Sequence, residues 1–146
     1  MAKKLNRATA MNPLATKQFG DACEHLVLAE LMLAGWPAHK MPDGWPRYGL
    51  AAWLPNGETI YISVKGLRAG HGKLASFYRF DPTGWDWLAL VRINTETAVR
   101  KIFLLPRDAA LTLTLVESDG RRRINYKNAG LMAYKGTAAL KPSAAT

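Results

Sequence analysis

Cysteine is nearly absent from this chain: Cys23 is the single one in 146 residues. An internal disulfide is therefore excluded, and Cys23 has no partner motif for zinc. Acidic residues are scarce, 11 against 20 Lys and Arg, which leaves a net charge of +9. No apolar run is long enough to span a bilayer, and no amphipathic basic helix stands out to lie on one. The basic stretch Met1–Arg7 has no apolar region behind it, so it does not read as a secretory signal. A cytoplasmic location and no membrane partner are the expectations. Internal repeats are not evident.

What is present is a chain able to fold. Apolar residues make up 49% of it, with five Trp, five Tyr and four Phe, which supports a globular core rather than disorder. The length suits one domain, expected over residues 14–134, between a basic arm at 1–13 and an Ala-rich tail at 135–146. The positive balance points to a polyanionic partner, nucleic acid before any other. The plainer reading of the same charge is a basic, soluble surface.

Periodicity orders the elements. Phe19, Cys23, Leu26, Val27, Leu31 and Ala34 recur at helical spacing, predicting a helix from Leu14 to Ala34 that Gly35 stops. Cys23 then belongs to the core. His39 to Arg47 reads as a loop. Tyr48–Leu54, the turn Pro55-Asn56-Gly57 and Glu58–Lys65 read as a β-hairpin. Gly66 to Gly72 reads as a mobile basic loop, Leu74 to Phe80 as a short helix or strand, and Asp81–Gly84 as a turn. Trp87–Val91 is almost continuously apolar, as in a strand buried on both faces. Val99–Leu105 predicts another strand and Arg107–Leu115 a helix. Helix, hairpin, buried strands and helix together predict an α/β fold, a mixed central β-sheet flanked by helices.

Strand alternation puts Ser63 and Lys65 on one face of the second hairpin strand and Ile60, Ile62 and Val64 on the other. With Gly20–Glu24 on the first helix, Asp86–Val91 and Lys101–Pro106, this arrangement resembles the PD-(D/E)XK nuclease superfamily, the restriction endonuclease-like fold, over Lys17 to Asp108. The resemblance implies a site in which Glu24 is the helix carboxylate and Lys65 the lysine that orients water or steadies phosphate charge. In small members an Asp near the start of the hairpin and an acid or Gln two residues before the lysine complete the set. Here Gly49 and Ser63 stand at those places. Mg²⁺ or Mn²⁺ is the cofactor the resemblance implies for an active enzyme, and Mg²⁺ needs hard oxygen ligands. Asp43 is the acid best placed to join Glu24 as a replacement ligand, although an ordinary turn residue is the plainer reading. Once the acids are gone, Lys65 is left to contact phosphate or to pair with Glu24.

Basic residues cluster after Lys65 (Arg68, His71, Lys73, Arg79) and after the Ser118–Gly120 turn (Arg121, Arg122, Arg123), with Lys127 and the arm's Lys3, Lys4 and Arg7 in addition. Lys and Arg contacts to phosphate supply most non-specific nucleic-acid affinity. Trp45, Tyr48, Phe77 and Tyr78 are candidates to stack on bases, while Trp85 and Trp87 read as core. Three functions compete. The first is a nucleic-acid-binding protein, DNA foremost, of the nuclease-like fold with lost or weakened metal-dependent phosphodiesterase activity. The second is an active Mg²⁺-dependent endonuclease with a relocated acid. The third is a protein-interaction subunit that reuses the fold, as a homodimer or within a complex.

Overall fold

The computed structural model describes residues 13–70, 73–74 and 77–137. The basic arm, His71 and the tail from residue 138 lie outside them. Helix α1 (Pro13–Leu33) is followed by β1 (Ala38–Lys40), β2 (Leu50–Trp53), β3 (Thr59–Gly70), β4 (Lys73–Leu74), β5 (Phe77–Phe80), β6 (Trp87–Asn94) and β7 (Arg100–Pro106). Helix α2 (Arg107–Thr112), β8 (Leu115–Val116), β9 (Arg122–Asn125) and a 3-10 helix (Ala129–Tyr134) follow among the described residues. The main sheet runs β1-β2-β3-β6-β7, with β4 folded onto the end of β3. Only the β3–β6 pairing is parallel within that order, so the sheet is mixed. A second, three-stranded sheet runs β5-β9-β8.

Two cores follow from the pleat of β6. Ala89 and Val91 face α1, where they meet Cys23, Val27, Leu31, Ile60 and Ile62. Leu88 and Leu90 face the opposite way, toward Tyr78, Phe80, Ile124, Ala110 and Leu131. The strand is buried on both faces, as its unbroken apolar run requires. The layers are therefore α1, main sheet, then small sheet with α2.

The C-terminus of α1 is closed by a Schellman arrangement. The Gly35 N–H donates to Met32 O at 3.0 Å and the Trp36 N–H to Leu31 O at 2.9 Å, while Gly35 takes φ 92°. Trp36 then turns inward and is buried with Leu31.

Three sequence expectations change. The stretch 66–70 is strand, because β3 continues to Gly70 and pairs with β6 as far as Ala69↔Asn94. Gly66 is there for a different reason than loop mobility. A Cβ at that position would lie 2.5 Å from Cys23 Sγ and 2.8 Å from a Phe19 ring carbon, so the glycine lets α1 rest directly on β3. The expected loop at 39–47 begins as the edge strand β1, paired with β2. The helix expected to reach Leu115 stops at Thr112, since Leu115 and Val116 pair with Arg123 and Arg122.

Burial pushes the Cys23 thiol up to about 11, which makes it an inert packing group. The packing of α1 on β3 gives a direct test. Gly66→Ala is expected to cost about 1–3 kcal/mol in urea unfolding through overpacking. In a Cys23→Ala background the same change is expected to cost less, because one of the two obstructing side chains is gone. Equal costs in both backgrounds would show that the thiol is not the obstruction.

Candidate active-site cleft

β2 and β3 pair with Leu50 opposite Ile62, and the Gly49 N–H donates to Ile62 O at 3.0 Å. Extending that register by one residue sets Gly49 opposite Ser63. Ser63 is buried and Lys65, two residues on, is half-buried. They form one wall of an open cleft of about 270 Å³ lined by Glu24, Trp45, Arg47, Tyr48, Gly49, Ser63, Val64, Lys65 and Asp81. Of the residues selected from the sequence, the fold thus gathers Glu24, Trp45, Tyr48, Ser63 and Lys65.

Glu24 reaches the cleft from α1. A Cβ placed on Gly49 would fall inside Glu24 Oε2, with Glu24 Cδ at 2.7 Å. The helix carboxylate therefore occupies the space from which any side chain at position 49 would have to start. Its ion pair is with Lys40, Nζ to Oε1 at 3.7 Å, and among the described residues Lys65 forms no ion pair. The Glu24–Lys65 pair considered from the sequence does not form, because Lys40, on the edge strand β1, takes that place.

Lys40 also meets Asp21 at 3.6 Å and Asp43 at 3.4 Å, while Lys17 holds Asp21 at 3.0 Å and Asp43 at 3.5 Å. Burial works against the charge on Lys40, but the Asp43 hydrogen bond and the Glu24 and Asp21 charges outweigh it and raise its pKa. Asp43 belongs to this ion network and lines a neighbouring groove, not the Lys65 cleft. Burial raises the pKa of Glu24 despite Lys40, so the ionised carboxylate is held at some cost.

Sequence reasoning missed Asp81 and Arg47. Asp81 follows Phe80 at the end of β5, where the Trp85 indole N–H donates to its carbonyl at 2.7 Å and fixes the turn. Its carboxylate accepts from the Thr83 hydroxyl at 2.7 Å and the Thr83 N–H at 2.9 Å. These hydrogen bonds lower its pKa against a smaller opposing effect of burial, and the nearby Arg47 and Lys65 charges lower it a little further. The Asp-Pro-Thr-Gly sequence signalled the turn, but only the packing of β5 beside β3 brings it to Lys65. Arg47 has φ 76°, a left-handed backbone outside glycine, and sits between Pro46 O and the Tyr48 N–H that donates to it at 3.0 Å. Its alkyl chain lies over Gly84, where a Cβ would come within 2.9 Å of Arg47 Cβ.

Arg68, Arg79, Arg121, Arg122 and Arg123 lie outside this lining. Arg68 packs over the Phe19 ring at 4.6 Å, on the α1 side. Arg79 pairs with Glu117 at 3.0 Å and is Arg123's register partner, and Arg123 covers the Phe77 ring at 4.8 Å. Arg122 points the other way and donates to Thr114 Oγ1 at 3.4 Å, while Arg121 pairs with Asp119 at 2.8 Å. Lys73 is placed in β4. Tyr78, a stacking candidate from sequence, is 2% exposed and belongs to the core.

Among the described residues no group of three or more His, Cys, Asp or Glu is arranged to hold a metal ion. The cleft's two carboxylates are each already engaged, Glu24 by Lys40 and Asp81 by Thr83. This donor set does not fit the Mg²⁺ site implied by the resemblance.

The raised Glu24 pKa has a definite sign. Its ionisation costs stability, absent below the unfolded value of 4.5 and complete above the folded value. Glu24→Gln removes that cost. The melting-temperature difference, variant minus native, is expected to be more positive at about pH 7 than at about pH 3.5 by differential scanning calorimetry. A difference that does not vary with pH would show that Glu24 is not desolvated.

No protein-family model matches the chain, and no curated protein does so either. Among solved structures it is similar to a bacterial homing endonuclease, I-Ssp6803I. The two share 19% identity over 86% of this chain and 89% of the other, with a TM-score of 0.55. No helix among the described residues is long and apolar enough to cross a membrane. The chain shares with that homing endonuclease a mixed α/β fold, and in this chain Glu24 and Lys65 line the same cleft.

Proposed function

We propose that this chain is a nucleic-acid-binding protein built on the PD-(D/E)XK nuclease plan, with metal-dependent phosphodiester cleavage lost or weakened. The observation that carries the proposal is the contact between Glu24 and Gly49. The helix carboxylate fills the space of the missing hairpin acid, and Lys40 neutralises it there. Ser63 adds only a neutral hydroxyl. Lys65 and Arg47 then give the cleft a cationic wall suited to a phosphate, with Asp81 as a partial counterweight. Arg79 and Arg123, side by side on the small sheet, add a second set of phosphate contacts.

Arg47 acts through its charge, and its backbone is strained. A left-handed non-glycine residue costs on the order of 1–2 kcal/mol. Arg47→Gly is therefore expected to leave the melting temperature unchanged or raised while weakening nucleic-acid binding. In fluorescence anisotropy across a salt series, Lys65→Ala and Arg47→Gly are each expected to reduce the slope of log K against log salt by about 1. Unaltered slopes in both variants would remove the cleft from the binding surface.

Cleavage of supercoiled and branched DNA with Mg²⁺, Mn²⁺ or EDTA tests the lost activity. The native protein is expected not to cut. Metal-dependent cutting that disappears in Lys65→Ala would overturn this reading in favour of an active endonuclease, with Asp81 as the relocated acid to change next. Restoring the hairpin acid needs room. Gly49→Asp alone is expected to destabilise the fold by about 1–3 kcal/mol through overpacking against Glu24. Glu24→Ala in the same chain is expected to recover most of that loss in chemical denaturation.

A further inference from the structure

Trp45 and Tyr48 of the cleft lining continue into Tyr61 as a ladder of aromatic rings. Tyr48 stands between Trp45 and Tyr61, with ring centroids 6.2 Å from the first and 4.5 Å from the second. Trp45 is 47% exposed and Tyr61 38%, although both are large apolar groups that a core would ordinarily cover. Tyr61 and Lys65 share a face of β3, four residues and so about 13 Å apart. Trp45 and Tyr48 thus line one cleft with Arg47 and Lys65, and Tyr61 extends the ladder beyond that lining.

Resting on the binding function proposed above, we infer that this surface selects unpaired nucleotides, with bases stacked on Trp45 and Tyr61 while Arg47 and Lys65 hold the adjoining phosphates. A duplex and a single strand offer the same phosphates. Only the single strand offers free base faces, because pairing and stacking hide them within a duplex. Aromatic platforms beside a basic groove take every base alike, since each has a π-face. The ladder therefore discriminates by strandedness and leaves sequence unread. Tyr78 and Trp85, both buried, take no part.

The test is fluorescence anisotropy with labelled single-stranded DNA, single-stranded RNA and blunt DNA duplex, each of about 15 nucleotides per strand. The proteins are the full native chain, the Trp45→Ala/Tyr61→Ala variant and the conservative Trp45→Phe/Tyr61→Phe variant. The native chain is expected to prefer a single strand to duplex by about tenfold or more. The alanine variant is expected to lose that preference through weaker single-strand binding, and the phenylalanine variant to keep it. A ring-dependent gain on either single strand supports the inference, and the tighter of the two names the polymer. Equal single-strand and duplex affinity in the native chain, or a preference that survives loss of both rings, overturns it. Lys65-dependent binding that ignores the rings defeats this inference and leaves the binding function standing. Absence of binding to all three probes defeats both.

Discussion

Helix α1 lies against the hairpin at a distance that two glycines make available. At Gly66 the backbone of β3 meets Cys23 and Phe19, and at Gly49 the entry to β2 meets Glu24. Cys23 and Glu24 are neighbours on the helix, so the two contacts fix both its height and its rotation. The first core depends on this seating, because Val27 and Leu31 reach Ile60, Ile62 and Val91 only if the helix is that close. The chemistry of the cleft depends on it as well. The same approach that packs Cys23 inserts the Glu24 carboxylate at the hairpin's start.

Electrostatics then divide the neighbourhood in two. Lys17 and Lys40 gather Asp21, Asp43 and Glu24 into one network on the outer side of Glu24. These pairs include well-exposed groups and contribute little stability each. Their effect is positional, since they draw acidic charge away from Lys65. Within the cleft Lys65 and Arg47 share the lining with Asp81 and with Glu24, which is paired to Lys40. A chain with few acids has thus committed three of them to Lys17 and Lys40 beside the cleft. The strained Arg47 backbone fits this picture, because the fold tolerates it at the mouth of the cleft, where its guanidinium is exposed.

Much of the architecture was legible in the residues. Helical spacing from Phe19 to Leu31, the Pro-Asn-Gly turn and the apolar run at Trp87–Val91 each correspond to an observed element, because each pattern reports burial on one face or on two. Glycine misled at Gly66. A loop residue and a residue under a helix have the same missing side chain, and only the partner distinguishes them. The helix predicted to Leu115 was shortened by strand pairing from β9 across the Ser118–Gly120 turn, a hairpin that the helical pattern of Arg107–Leu115 does not report.

The sequence by itself determined the α/β class, the alternation that aligns Ser63 with Lys65, the absence of acids at positions 49 and 63, and the positive charge. These depend on residue identity and on fixed periods of two and 3.6 along the chain. Tertiary structure alone decided which charges meet: Lys40 with Glu24, Asp43 with the lysines, Asp81 and Arg47 with Lys65. It also stacked Tyr48 between Trp45 and Tyr61 and sent Tyr78 into the core. Those partners lie on separate elements, and their distances are set by how helix and sheets pack, which no local pattern encodes.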